Sequence, residues 1–301
     1  MKKSPLRLPI LFMIMFISIG IWRFWATGKI FYLFNFSYIG ASISVGMYLG
    51  DVLPKKKKGF GRMVTQLMVG LYMLIILGVL GRENMQIEGF FIYLLLGVFQ
   101  AAVLHYAVAK LFGPLVFGRA WCGYACWTAM VLDFLPFKIP NGKRSKNWGY
   151  LRYLHFVASL VLILYLWFIV ENGTWQNGYL IEWKLFVYGN LVYYVSGIAL
   201  AFILKDNRAF CKYVCPIPTV QKLGSRFSLL KIEIDNKTCV DCKLCEKNCP
   251  MNIKLLTYKN RGQRILSTEC ILCGTCIHVC PKNSIQVTTK LDCGFKEEIN
   301  N

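Results

Sequence analysis

The first 205 residues form apolar runs separated by short polar loops, and six of the runs reach the roughly 17–25 residues that a bilayer-crossing helix needs. They lie near 8–27, 30–50, 64–81, 89–110, 153–170 and 185–204. The pattern predicts an α-helical transmembrane bundle of about six helices. Farther along, cysteine and proline recur at short intervals, which predicts a small separate domain from about Ile232 to about Thr289.

The loops alternate in charge. Lys55, Lys56, Lys57, Lys58 and Arg62 follow the second run; Arg119, Lys138, Lys143, Arg144, Lys146 and Arg152 follow the fourth; Lys205, Arg208 and Lys212 follow the sixth. The intervening loops carry only Arg23 and Lys29, then Arg82, then Lys184 beside Glu171 and Glu182. The positive-inside rule therefore predicts a multi-pass protein of the cytoplasmic membrane, with both termini and every cysteine on the cytoplasmic side. The first run follows Lys2, Lys3 and Arg7 but lacks an A-x-A cleavage site, and a second run begins at once, so it reads as a retained anchor.

Composition agrees: 56% of residues are hydrophobic and 17% charged, too apolar for an ordinary soluble domain. The net charge of +20 is dispersed in loop clusters and forms no single stripe, which argues for membrane topology and against nucleic acid. No Asp or Glu lies well inside a run, and the intramembrane polar residues are mainly Asn35, Gln66, Gln100, His105, His155 and Asn190. That counts against a pump or transporter.

An internal repeat is present. Arg119-Ala-Trp-Cys122-Gly-Tyr-Ala-Cys126 matches Arg208-Ala-Phe-Cys211-Lys-Tyr-Val-Cys215 with the same C-x3-C spacing, each copy following an apolar run. The core is thus a tandem helix-pair repeat. The chain divides into 1–63, two N-terminal helices and a basic loop; 64–231, the duplicated core; 232–289, the cysteine-rich domain; and 290–301, a tail.

The most specific signal is Cys239-x2-Cys242-x2-Cys245-x3-Cys249-Pro250, repeated as Cys270-x2-Cys273-x2-Cys276-x3-Cys280-Pro281. This is the α+β two-cluster bacterial ferredoxin pattern, in which three cysteines hold one cubane and the fourth holds the other. One [4Fe-4S] cluster is expected on Cys239, Cys242, Cys245 and Cys280, the second on Cys270, Cys273, Cys276 and Cys249. All-thiolate zinc sites use two separated C-x2-C pairs and do not need the third cysteine or the C-P ending. Gly274 is expected to let the backbone approach the second cluster, and Pro250 and Pro281 to end the turn after the fourth ligand. His278 is read as a surface residue, and Cys293 is left over.

With these residues in view, the chain resembles the membrane polyferredoxins of the NapH/MauN type, related to the NosR C-terminal region and to CcoG. The resemblance rests on Cys122-Gly-Tyr-Ala-Cys126, on Cys211-Lys-Tyr-Val-Cys215-Pro216 and on the eight ferredoxin cysteines in that order, over roughly residues 64–289. Trp127 stands where the first family motif has proline, which weakens the expectation that both repeats share one local geometry. Brought together, Cys122, Cys126, Cys211 and Cys215 would make a four-thiolate third site near the cytoplasmic ends of spans four and six, suited to iron, a further cluster or zinc. Buried or reversible thiols are the other reading.

His105 and His155 sit at matching depths, which suits an interfacial histidine, a quinone headgroup or a pair of haem ligands. The resemblance implies relay of single electrons between the quinone pool or a cytoplasmic donor and a partner redox enzyme, with basic loops docking an acidic partner. An electron carrier is expected before an enzyme with its own substrate; a maturation factor for a partner metalloenzyme is the alternative.

Overall fold

The computed structural model describes residues 5–98, 101–142, 144–145, 147–170 and 178–292, so Gln100, Lys143, Lys146, Glu171 and Cys293 lie outside the described residues. Five helical stretches are long and apolar enough to cross a membrane: Arg7–Thr27, Ile30–Val52, Lys55–Leu80, Asn147–Val170 and Leu180–Leu204. Helices α1 (Arg7–Thr27) and α2 (Ile30–Val52) form an antiparallel hairpin, and α2 packs on α3 (Gly59–Leu71), which continues as a π-helical stretch over Tyr72–Leu80. Much of the apolar surface of α1 and α2 is exposed, as lipid contact requires.

The fourth expected span is not one helix. α4 (Ile87–Leu95) stops at a turn in which Gly97 adopts φ +66°, and the chain resumes as α5 (Ala101–Tyr106), a π-helical stretch Ala107–Phe112 and α6 (Gly113–Phe117). A left-handed residue cannot continue a right-handed helix, and glycine takes that conformation without Cβ strain. The segment before α4 also enters the bundle. Asn84 donates to the Glu182 carbonyl at 3.2 Å, Gln86 fills the space beside Gly189, and Ser159, midway along the Asn147–Val170 stretch, donates to Glu88 at 2.7 Å. Residues 81–88 are thus a re-entrant segment. The expectation of no carboxylate inside the membrane part is corrected here: Glu88 starts outside every apolar run and is carried in by the fold.

Each C-x3-C copy folds the same way. α7 (Ala120–Tyr124) leads to Cys126 and then α8 (Trp127–Leu132). After α9 (Leu151–Tyr165) and α10 (Gly178–Leu204), α11 (Ala209–Tyr213) leads to Cys215, Pro216 and α12 (Ile217–Ser225). The Trp121 carbonyl accepts from the N–H groups of Ala125 and Cys126, and the Phe210 carbonyl accepts from those of Val214 and Cys215. Trp127 replaces the family proline without altering this pattern, and its Nε1 donates to Asn190 at 2.8 Å.

Both short helices turn back into the bundle. Lys205, at φ +48°, reverses the chain, and the Phe210 ring packs against Tyr193 at a tilt of 54°, 5.1 Å between centroids. Tyr193 is about 16 Å along α10 from Leu204 at 1.5 Å per residue. The Cys211–Cys215 turn thus packs beside the middle of α10.

The ferredoxin unit is closed by two antiparallel strands, β1 (Leu230–Ile234) and β2 (Ile285–Thr289), paired from Leu230 opposite Thr289 to Ile234 opposite Ile285. Between them lie α13 (Leu244–Lys247), α14 (Leu255–Asn260) and α15 (Thr275–Val279). Its core includes Ile232, Met251, Ile253, Tyr258, Ile265 and Ile271, and Cys122 of the membrane part belongs to the same buried cluster.

Candidate metal centres

The two ferredoxin loops are copies of one backbone. Asp241 and Leu272, Lys243 and Gly274, and Asn252 and Asn283 occupy equivalent places after the cysteines, and all six have φ between +49° and +72°. Five of the six carry a Cβ, so these conformations are strained and need the surroundings to enforce them. They curl each C-x2-C-x2-C run around a centre. The Ile253 N–H then donates to Cys249 Sγ at 3.5 Å and the Ser284 N–H to Cys280 Sγ at 3.4 Å, again in equivalent positions.

Cys249, Cys270, Cys273 and Cys276 line a single cavity, walled by Ile232, Met251 and Ile265. This is the cross-ligated set of the second motif with the last cysteine of the first. Cys245 and Cys280 are buried, Cys239 is partly buried and neighbours Cys245, and Cys242 is exposed. Burial pushes the Cys245 and Cys249 thiols up to about 11 and Cys270 to about 12. Metal coordination must therefore displace protons from them.

A second cavity is lined by all four membrane cysteines, Cys122, Cys126, Cys211 and Cys215, drawn together from the two repeats. Among the described residues no three Cys, His, Asp or Glu side chains converge closely enough to hold a single metal ion. The first loop is held by Arg62 and Arg208, which donate to the Gly123 and Cys122 carbonyls at 2.7 and 3.0 Å; both guanidinium groups share Asp133, at 2.8 and 2.6 Å.

The ferredoxin unit docks on this site. Glu269, next to Cys270, is buried among Arg119 (2.5 Å), Arg152 (2.9 Å), Lys222 (2.9 Å) and Arg144 (3.2 Å). Burial alone would raise its pKa, but the four cations hold it well below the usual carboxylate range. Tyr124 donates to the Leu272 carbonyl at 3.2 Å, and buried Lys212 pairs with Asp206 and donates to Asn252. Gly123 is required by this contact: a Cβ there would stand 2.5 Å from the Ile271 carbonyl oxygen.

The two histidines have different neighbours. His105 packs edge-on against Trp121, centroids 4.7 Å apart. The ring nitrogens of His155 face the Val214 carbonyl at 2.9 Å and the Tyr193 hydroxyl at 3.3 Å. His278, expected at the surface, is half-buried over Gly274.

A 4Fe-4S dicluster domain family matches residues 231–281, and a second family, described as a 4Fe-4S binding domain, matches residues 100–147 and 191–234, the two C-x3-C repeats. Curated relatives include an uncharacterized protein of Methanocaldococcus jannaschii, 29% identical over 56% of this chain and 63% of its own length. The ferredoxin-type protein NapH of Haemophilus influenzae is 28% identical over 62% of this chain and 68% of its own. The methylamine utilization ferredoxin-type protein MauN of Paracoccus denitrificans is 26% identical over 53% of this chain and 59% of its own.

The chain is similar to ferredoxin-type proteins of the NapH and MauN kind over both its repeats and its ferredoxin unit. Its match spans less than two thirds of the first and third of these relatives. No solved structure matches it. The matched families are both described as 4Fe-4S domains, and five helices are long and apolar enough to cross a membrane.

Sequence reasoning did not single out Glu269, Lys110, Tyr106 or Gln86. Arg119 and Arg208 had a signal, each lying three residues before the first cysteine of its repeat. Gln86 had none, because only the re-entrant segment carries it to the cavity.

Proposed function

We propose that this chain binds one [4Fe-4S] cluster on Cys239, Cys242, Cys245 and Cys280, a second on Cys270, Cys273, Cys276 and Cys249, and a third metal centre on Cys122, Cys126, Cys211 and Cys215. It relays single electrons between the quinone pool or a soluble donor and a partner redox enzyme. Bound clusters supply the one-electron chemistry, and the chain supplies position and electrostatics.

The observation that carries this reading is continuity: Cys122 lines the membrane cavity and also packs in the buried core of the ferredoxin cysteines. The Glu269 cluster, Tyr124 and Lys212 hold the two parts in contact, so electrons would pass from the membrane site through the second cluster to the first. Exposed Cys242 marks the end nearest a soluble partner. The basic loops favour an acidic partner and a cytoplasmic ferredoxin unit in the cytoplasmic membrane. Anaerobic purification followed by EPR and quinol titration tests the assignment. Clusters that are neither reduced by a quinol nor oxidised by a quinone would sink the quinone link.

A further inference from the structure

The cavity of the four membrane cysteines is bordered by hydrogen-bond donors that no protein group receives. Gln86 Nε2, Tyr106 Oη, and Arg119 Nε and Nη2 are buried there without partners. Gln221 Nε2 is likewise unpartnered, while its Oε1 accepts from Cys122 Sγ at 3.1 Å. Lys110 also lines the cavity, its ammonium 4.7 Å from the Trp121 ring centroid. Among the described residues no carboxylate forms an ion pair with it.

Buried donors without acceptors and a buried cation are each costly. Together they complement an anionic group rich in acceptors. A cluster ligated by four thiolates is such a group, its sulfides offering acceptors on every face. A single zinc ion has no sulfides to receive these donors, and the cysteines do not converge to single-ion spacing. Once Cys122 is a thiolate, Gln221 need only turn its amide to donate to it.

We propose that this cavity holds an iron–sulfur cluster and that Lys110, with Tyr106, Gln86, Arg119 and Gln221, sets its reduction potential. This rests on the reading of the four thiols as a metal site. Reduction adds negative charge, so a buried cation and sulfur-directed donors favour the reduced state. The ferredoxin cavity is lined by apolar side chains, Gly274 and the thiols, with Arg119 and Lys212 standing behind Cys270 and Cys249, so Lys110 is the cation particular to the membrane centre.

The test uses the full chain, purified anaerobically into lipid nanodiscs, with iron and sulfide analysis and EPR-monitored redox titration. Wild type should carry about twelve iron atoms per chain and Cys126→Ser about eight. Lys110→Met should lower the midpoint of the membrane centre alone, by about tenfold in the reduction equilibrium, or about 59 mV for one electron. Lys110→Arg should restore it, and Tyr106→Phe should lower it by less.

About eight iron atoms in wild type, unchanged by Cys126→Ser, would remove the third centre and this proposal with it. Full iron with an unmoved midpoint in both Lys110→Met and Tyr106→Phe overturns the donor shell alone. If Lys110→Met loses the centre and Lys110→Arg keeps it, the counter-charge role is supported. If both lose it, Tyr106→Phe decides by the same criterion.

Discussion

Replacing Glu269 by Gln should loosen the ferredoxin unit from the membrane part. The carboxylate is 8% exposed and lies within 3.2 Å of Arg119, Arg144, Arg152 and Lys222. Gln keeps the shape and removes the only anion in that cluster among the described residues. Arg119 and Arg152 are almost fully buried, so water cannot take over the lost pairing. Breaking one buried pair costs about 3–5 kcal/mol, and the exposed fractions of Lys222 and Arg144 reduce what they add. A value near 4 kcal/mol corresponds to about a thousandfold in the docking equilibrium. Hydrogen exchange in nanodiscs reads this directly: amides of Thr268–Leu272 and Trp121–Tyr124 should exchange about a thousandfold faster wherever opening limits exchange. Glu269→Asp, which keeps the charge, should lie in between. Acceleration of less than tenfold in Glu269→Gln would show that apolar contacts around Cys122 and Ile271 hold the interface and that the ion cluster does not.

Cys249→Ser and Cys273→Ser should abolish the same EPR signal, and Cys280→Ser and Cys239→Ser the other; a shared signal between Cys249→Ser and Cys245→Ser would refute the crossed ligand sets. Asp133→Asn, which leaves Arg62 and buried Arg208 without their shared carboxylate, should cost about 3 kcal/mol and lower the melting temperature in detergent, with Arg62→Met mutated alone costing less. Because burial raises the thiol pKa values of Cys245, Cys249 and Cys270, reconstitution of the apo protein with iron and sulfide releases protons, so the apparent affinity should rise steadily from pH 6 to pH 8. A pH-independent titration would mean that the ligands are already thiolates.

Local, short-range information was enough for much of this protein. Apolar runs announce bilayer helices because hydrocarbon tolerates only internally bonded backbone, and five of the six expected spans are continuous helices. The cysteine spacing announces cluster-binding loops because three thiolates wrap one cube only on a tight turn, and paired positive-φ residues appear where the two motifs repeat. The C-x3-C repeat was legible as a duplication for the same reason.

What needed the tertiary structure is everything set by contacts between distant segments. An apolar run cannot reveal that Gly97 breaks it, or that residues 81–88 dip into the bundle and bring Glu88 and Gln86 inside. Hydropathy reports length along a helix and not the reversal at Lys205 that folds α11 back beside Tyr193. Nor could spacing join Arg119, Arg152, Lys222 and Glu269, separated by up to 150 positions, into one buried ion cluster. Coulomb attraction and burial act through space, so only the folded chain decides which charges meet.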